Sequence, residues 1–229
     1  MKLSKLNVIA VTGFGCVALL GASYFMPAES AGPAPEADPN AGSQNARAPL
    51  DKVELVSVPG SDVKYPSRIE STIGDKPVRL ALTGVAVRKK VIVNVYTVAS
   101  YAQEGVAIAS ADDLCSKDCV KQLHLVMQTG VSGKQMIEAF TEGVRKNHAK
   151  PQFEADIAAL GEKLRTLDLV KGDNVWLTYI PGVGLKADVV GKLSVAVENV
   201  AFAKAMWEIY LGKKNLGEQV KSGLASRLK

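Results

Sequence analysis

PVRLALTGVAV (residues 77–87) and KVIVNVYTVASYA (90–102) are the two strongest strand patterns in the chain. Both are rich in Val and Ile, whose branched side chains suit a pleated surface. The second alternates in part, with Val91, Val93 and Val95 on one face and Asn94 on the other. Upstream, 53–58 reads as a short strand stopped by Pro59-Gly60, and 65–73 as another. Downstream, 109–119 reads as a short helix, with Ser110 as its cap and Asp112 and Asp113 in the first turn. Residues 121–128 alternate again as a strand. Ser132 can cap a helix over 134–147, and Pro151 opens a second through Leu167. Strands follow at 174–180, 185–188 and 192–197, around a turn at 181–184, and helices at 199–211 and 217–227 close the chain. Strands, a helical pair, more strands and then helices predict an α+β fold: a long, mainly antiparallel sheet with helices on one face.

Composition narrows the function classes. The 229 residues are 47% hydrophobic and 22% charged, enough for one substantial core. The formal net charge of +5 is scattered, and its densest cluster is Arg88-Lys89-Lys90. No basic stripe interleaved with aromatics exists, so no nucleic-acid partner is expected.

Lys2 and Lys5 precede an apolar stretch over 6–26, the arrangement that export machinery reads. Residues 1–30 are a cleaved signal peptide or a retained membrane anchor, and both readings stand. Small residues allow cleavage after Ala22 or Ser30, while 8–26 is uncharged and close to the ~20 residues that span a bilayer. The expectation is an exported protein, periplasmic or anchored facing the periplasm, touching membrane through this segment. Residues 31–49 contain four prolines and little that can pack, so they read as a disordered linker before a domain at 50–229.

Cys16 reads as one more apolar residue. That leaves Cys115 and Cys119, an even pair, and in an exported protein a helix would set them one turn apart and within disulfide reach. Two ligands are too few for zinc, so no metal is expected, and no cofactor motif is present. Gly182-Val183-Gly184 lies between strands with no helix after it and is a hairpin turn, not a phosphate loop. His124 sits within an alternating strand as a structural residue. His148 ends a helix, where it suits the negative dipole end.

Arg88 stands within a run of apolar strand residues, and a buried guanidinium needs an anionic or polar partner. It is either an edge-of-sheet residue or the anchor for a ligand carboxylate. In the second case the Tyr96 hydroxyl adds a donor beside an apolar ring. Eight residues of straight strand span about 26 Å, so the two meet only if the chain doubles back between them.

GVAVRKKVIVNVYTVASYA (84–102), TGVSGKQMIEAF (129–140), NVWLTYIPGVGL (174–185) and AFAKAMWEIYLGKKNLGEQVKSGL (201–224) together resemble, in order, chalcone-isomerase-like proteins. The resemblance spans about 50–229 and implies an open-faced β-sandwich with a ligand cleft between sheet and helices. That family holds true isomerases, plant fatty-acid-binding proteins and bacterial members of uncertain role. Arg88 matches the isomerases' arginine, and Tyr96 stands where their first threonine does, as in the fatty-acid-binding branch. The catalytic tyrosine's position falls near Ser132, the asparagine's near Ala139 and the late threonine's on Ile209. Those departures remove the polar network that isomerisation uses. The expectation is a non-catalytic binder of a fatty acid or similar apolar carboxylate, held by Arg88 and Tyr96. Two alternatives remain: an intramolecular lyase or isomerase on a non-flavonoid substrate, and a protein-interaction domain.

Overall fold

A computed structural model describes residues 53–228, so the expected leader and linker lie outside the described residues. β1 (Leu55–Ser57) and β2 (Lys64–Pro66) form a small antiparallel pair. β3 (Arg68–Ile73), β4 (Lys76–Lys90) and β5 (Val93–Gln103) run on as an antiparallel meander. α1 (Ala111–Ser116) leads to β6 (Lys121–Met127), then β7 (Val131–Ser132), α2 (Gly133–Asn147) and α3 (Glu154–Leu164). β8 (Asp168–Leu169) pairs with β7, and β9 (Asn174–Ile180), β10 (Gly184–Val189) and β11 (Leu193–Val197) complete the strands. α4 (Val200–Leu211) and α5 (Glu218–Leu224) end the fold. The main sheet is antiparallel with order β11-β10-β9-β6-β5-β4-β3. It curls far enough that Gln122 Nε2 on β6 donates both to Ser71 Oγ on β3 (2.8 Å) and to Thr178 Oγ1 on β9 (3.0 Å). The expected α+β fold is therefore the observed one. No helix among the described residues is long and apolar enough to cross a membrane.

Each face of the sheet has its own core. On one face Leu123, Leu125, Val175, Leu177 and Leu185 meet α4, whose Phe202, Met206, Trp207 and Leu211 are buried almost completely. On the other, Tyr65, Leu80, Leu82, Val85 and Tyr101 pack beneath the β1–β2 pair. Strand parity decides which face each residue serves, and β4 changes parity at a bulge. Leu82 opposes Tyr101 and Gly84 opposes Ser100, so Thr83 is the extra residue. Before it, even-numbered Leu80 and Leu82 belong to the second core; after it, Val85 does, while Ala86 joins the helix-side core. The Thr83 hydroxyl fastens the bulge, within hydrogen-bonding distance of the carbonyls of Ser100 (3.1 Å) and Leu224 (2.9 Å). Gly84 lets α5 close in: a Cβ there would stand 2.1 Å from the Gly223 carbonyl oxygen.

Several expectations shift by a few residues. The turn between the long strands lies at Val91-Ile92, so Arg88 is inside β4 and not between the two runs. The single strand expected at 65–73 is two, β2 and β3. α3 begins at Glu154 because Phe153 takes a left-handed conformation (φ 62°) and packs its ring on Phe202 and His148. Ser110 and Ser132 cap α1 and α2 as expected, the latter in a reciprocal capping box with Gln135.

The expected disulfide is not shown: Cys115 and Cys119 stand as free thiols. α1 ends at Ser116, and Lys117 leaves in an extended conformation, so Cys119 is not on the helical face that carries Cys115. Burial pushes the Cys115 thiol up to about 11 and raises that of Cys119. Beside them Lys121, fully buried, donates to the carbonyls of Leu114 (3.0 Å) and Cys115 (2.9 Å) at the end of α1. Its ammonium also lies over the rings of Tyr179 and Trp207. Burial still brings its pKa down to about 8 from 10.5, whereas burial raises the phenols of Tyr65, Tyr101 and Tyr179.

Two predictions follow from this packing. Gly84→Ala forces α5 off β4 and destabilises the fold by about 1–3 kcal/mol, read as a lower urea midpoint. Between pH 8 and about 9 the unfolded chain holds a proton on Lys121 that the folded chain gives up, so stability rises there. The gain is on the order of 1 kcal/mol. Above pH ~9 the trend reverses, because first the thiols of Cys115 and Cys119 and then the buried phenols ionise in the unfolded chain while the folded ones do not. Urea titrations across this range should show the rise, and Lys121→Met should abolish it.

Candidate functional site: a cavity between the sheet end and the helices

The β4–β5 hairpin resolves the distance between Arg88 and Tyr96. The chain doubles back, and the two residues are direct cross-strand partners. A second bulge follows immediately, Lys89 opposing Asn94 so that Val95 is extra, and Val95 joins them in lining one cavity. The cavity measures about 190 Å³. The sheet contributes Leu125, Met127 and Val175 to its wall. α2 contributes Met136, Ala139 and Phe140, and α4 contributes Ile209 and Tyr210. Lys90, Gln135, Ala139 and Glu142 are lining residues that are also exposed, and they mark its rim.

Arg88 is half-buried, and its Nη1 donates to the carbonyl of Leu216 at 3.1 Å. Among the described residues no carboxylate pairs with it. A guanidinium has five N–H donors, so most of its capacity is unused by the protein. Tyr96 is hydrogen-bonded to Tyr210, which projects from α4. Burial raises both phenols above the usual tyrosine value. The bond to Tyr210 and the Arg88 charge pull Tyr96 partly back, and Arg88 does the same for Tyr210. At neutral pH the cavity interior therefore presents the Arg88 guanidinium and two neutral hydroxyls among apolar walls, with Lys90 and Glu142 at the rim.

Of the positions singled out in the sequence, Arg88, Tyr96, Ala139 and Ile209 line this cavity. Ser132 does not: its hydroxyl is committed to the α2 cap. His124 lies on the opposite face, stacked on Trp176 (3.7 Å) with Nε2 bonded to Asn174 Oδ1, and burial lowers its pKa. His148 pairs with Glu208 at 2.6 Å, more than the helix-end role expected of it. Tyr210 is the cavity residue that sequence reasoning missed. It sits inside the terminal block that carried the resemblance, in a helix where Lys204 and Glu208 mark the outer face but nothing within the wide apolar remainder marks a ligand side. Among the described residues no cluster of three or more His, Cys, Asp or Glu could hold a metal.

No curated protein matches the chain by sequence. Among solved structures, the crystal structure of a fatty-acid binding protein from Arabidopsis thaliana superposes with a TM-score of 0.59 at 17% identity. The match covers 76% of this chain and 98% of the plant protein, a likeness of fold. Residues 60–225 match the family model described as chalcone isomerase-like. With the curled antiparallel sheet, the helical layer and the cavity between them, this match shows that the chain belongs to the chalcone isomerase-like family.

Proposed function

We propose that the domain binds an apolar carboxylate, a fatty acid or similar lipid-derived acid, without transforming it. The observation that carries the reading is Arg88: a cation lining an apolar cavity, satisfied by one carbonyl and by no carboxylate among the described residues. A ligand carboxylate would take the guanidinium's free N–H groups as charge-assisted bonds, with the Tyr96–Tyr210 pair adding a neutral donor. The fold likeness to a fatty-acid binding protein supports the same ligand class. A cavity of about 190 Å³ is smaller than the ~300–1,000 Å³ of ordinary ligand sites. It therefore suits a short or medium acid, or the head portion of a longer one whose tail leaves by the rim. Met127 and Met136 on its wall are unbranched and repack readily around different tails.

The lyase or isomerase alternative lacks a base inside the cavity. Both cavity phenols keep their protons well above neutral pH, neither histidine lines the cavity, and the lining carboxylate, Glu142, stands at the exposed rim paired with Lys146. Oriented hydroxyls and a cation can hold an anion, but proton abstraction needs a group poised near the working pH. The export reading of residues 1–30 would place this binder outside the cytoplasm, and detection of the mature chain in the periplasmic or membrane fraction tests that separately.

Displacement of a fluorescent fatty acid by acids of graded length tests the binding. Arg88→Ala should weaken it about 10–100-fold, the loss of a bond to a charged group, and Tyr96→Phe about 3–10-fold. Affinity should be flat between pH 6 and 9, because burial keeps the two cavity hydroxyls protonated throughout. It should fall toward about pH 4, as the ligand's own carboxyl takes up a proton. Unchanged binding in Arg88→Ala sinks the reading.

A further inference from the structure

The end of the sheet beside the cavity rim carries an unusual surface. Of the eight large apolar side chains that stand exposed among the described residues, five gather there: Val91, Ile92, Val93, Val170 and Val190. Their neighbourhood follows from the topology. β5 and β9 begin at this end, β6 and β10 finish at it, and hydrogen bonds Gly172 N–Met127 O and Val190 N–Asn174 O join the loops. The β4–β5 hairpin reaches furthest. Its last bond to the β6 strand end is Gln128 N to Val95 O, and the Lys90–Val93 rung and the turn lie beyond it. From Tyr96, the last residue paired with β6, three residues of strand project about 10 Å.

The tip is also the wrong sequence for a free turn. Val91 is 91% exposed and Ile92 88%, and Val91 takes φ 57°, a conformation that branched side chains strongly resist. Two-residue hairpins elsewhere use Asn or Gly here. This tip instead shows water two branched hydrocarbons at a cost in backbone strain. Around it stand Lys89, Lys90 and Lys171, exposed, with no ion pair among the described residues; Lys192 is paired with Asp173. Apolar residues at the apex with unpaired cations behind them match an anionic bilayer, whose headgroups face the lysines while the valines and isoleucine enter the boundary region. The ~10 Å projection agrees with the ~5–10 Å that interfacial elements bury.

We infer that this end of the sheet docks on an anionic lipid surface and sets the cavity rim, marked by Lys90, against the bilayer. Docking itself needs nothing from the cavity. Its use, passage of an acid between bilayer and cavity without crossing water, rests on the binding reading above. The residues that make this contact all belong to the described domain and include none of residues 1–30.

Hydrogen exchange read by mass spectrometry on the full chain tests it, with vesicles of phosphatidylcholine alone or mixed with phosphatidylglycerol. The expected result is protection of 89–93, 170–172 and 190–192 with the anionic vesicles only, diminished by salt. Lys89→Glu combined with Lys171→Glu should weaken that contact at least about 25-fold, fivefold per basic residue. Ile92→Asp should remove the protection while leaving binding of a soluble short-chain acid intact. Arg88→Ala should do the converse, losing the acid and keeping the vesicle contact, so the two readings fail independently. Protection confined to 1–30 overturns the inference. So does protection of the sheet end that grows with protein concentration and ignores vesicles, which would assign the patch to a second copy of the chain.

Discussion

The position of the guanidinium depends on one extra residue in one strand. Leu80 and Leu82 turn to the core beneath the β1–β2 pair, and Arg88 has the same parity. In an unbroken β4 it would face that crowded side, toward Tyr65, whose hydroxyl meets Thr97 beside Tyr96. The Thr83 bulge reverses the phase and turns Ala86 and Arg88 toward the helices. Its hydroxyl, shared between two carbonyls, and the close approach of α5 over Gly84 hold that reversal in place. Arg227 N on the chain's last turn donates to the Thr83 carbonyl as well, so the C-terminal segment acts as the clamp on the bulge. A feature some distance along the strand thus governs the chemistry of the cavity.

The same helix then serves both ends of the helix-side core. α4 gives Tyr210 and Ile209 to the cavity and Trp207 to the ring cage around Lys121. Between them Phe202, Met206 and Leu211 fill the sheet face completely. The two ends treat charge differently. Lys121 is sealed among carbonyls and rings, its donors taken by the end of α1. Arg88 is held by a single carbonyl and otherwise left open to the cavity. A buried cation saturated by the protein reads as structure, and one left unsatisfied reads as a site for something that arrives.

Much of this was legible in the sequence, for physical reasons particular to each element. The long strands, the Ser110 and Ser132 caps and the turn at 181–184 all follow from local chemistry that acts within a few residues. Arg88 and Tyr96 stood out because polar groups amid apolar runs are costly unless used. What stayed hidden was non-local or broke a local rule. The Thr83 bulge has no sequence mark, since threonine suits a regular strand equally well. The turn at Val91-Ile92 contains no glycine, asparagine or proline, so the pattern shifts the break toward Arg88. The free thiols depend on where α1 stops, and nothing in LCSKDC before Lys117 announces an end. Tyr210 lay in a helix whose only charged residues are Lys204 and Glu208, so most of its surface reads as core and nothing sets the cavity side apart.

The left-handed valine has a bearing on the order in which the molecule is assembled. A hairpin with Asn-Gly at its apex can start from the apex and close outward, since the bend forms by itself. Here the bend resists forming, so the longest ribbon of the fold gains nothing by beginning there. Pairing must start from the body, where Ala99 and Tyr101 are already flanked by neighbours on both sides, and travel toward the tip as rungs accumulate. The apex then closes last and opens first, which leaves the outermost rungs the most readily remodelled part of the sheet.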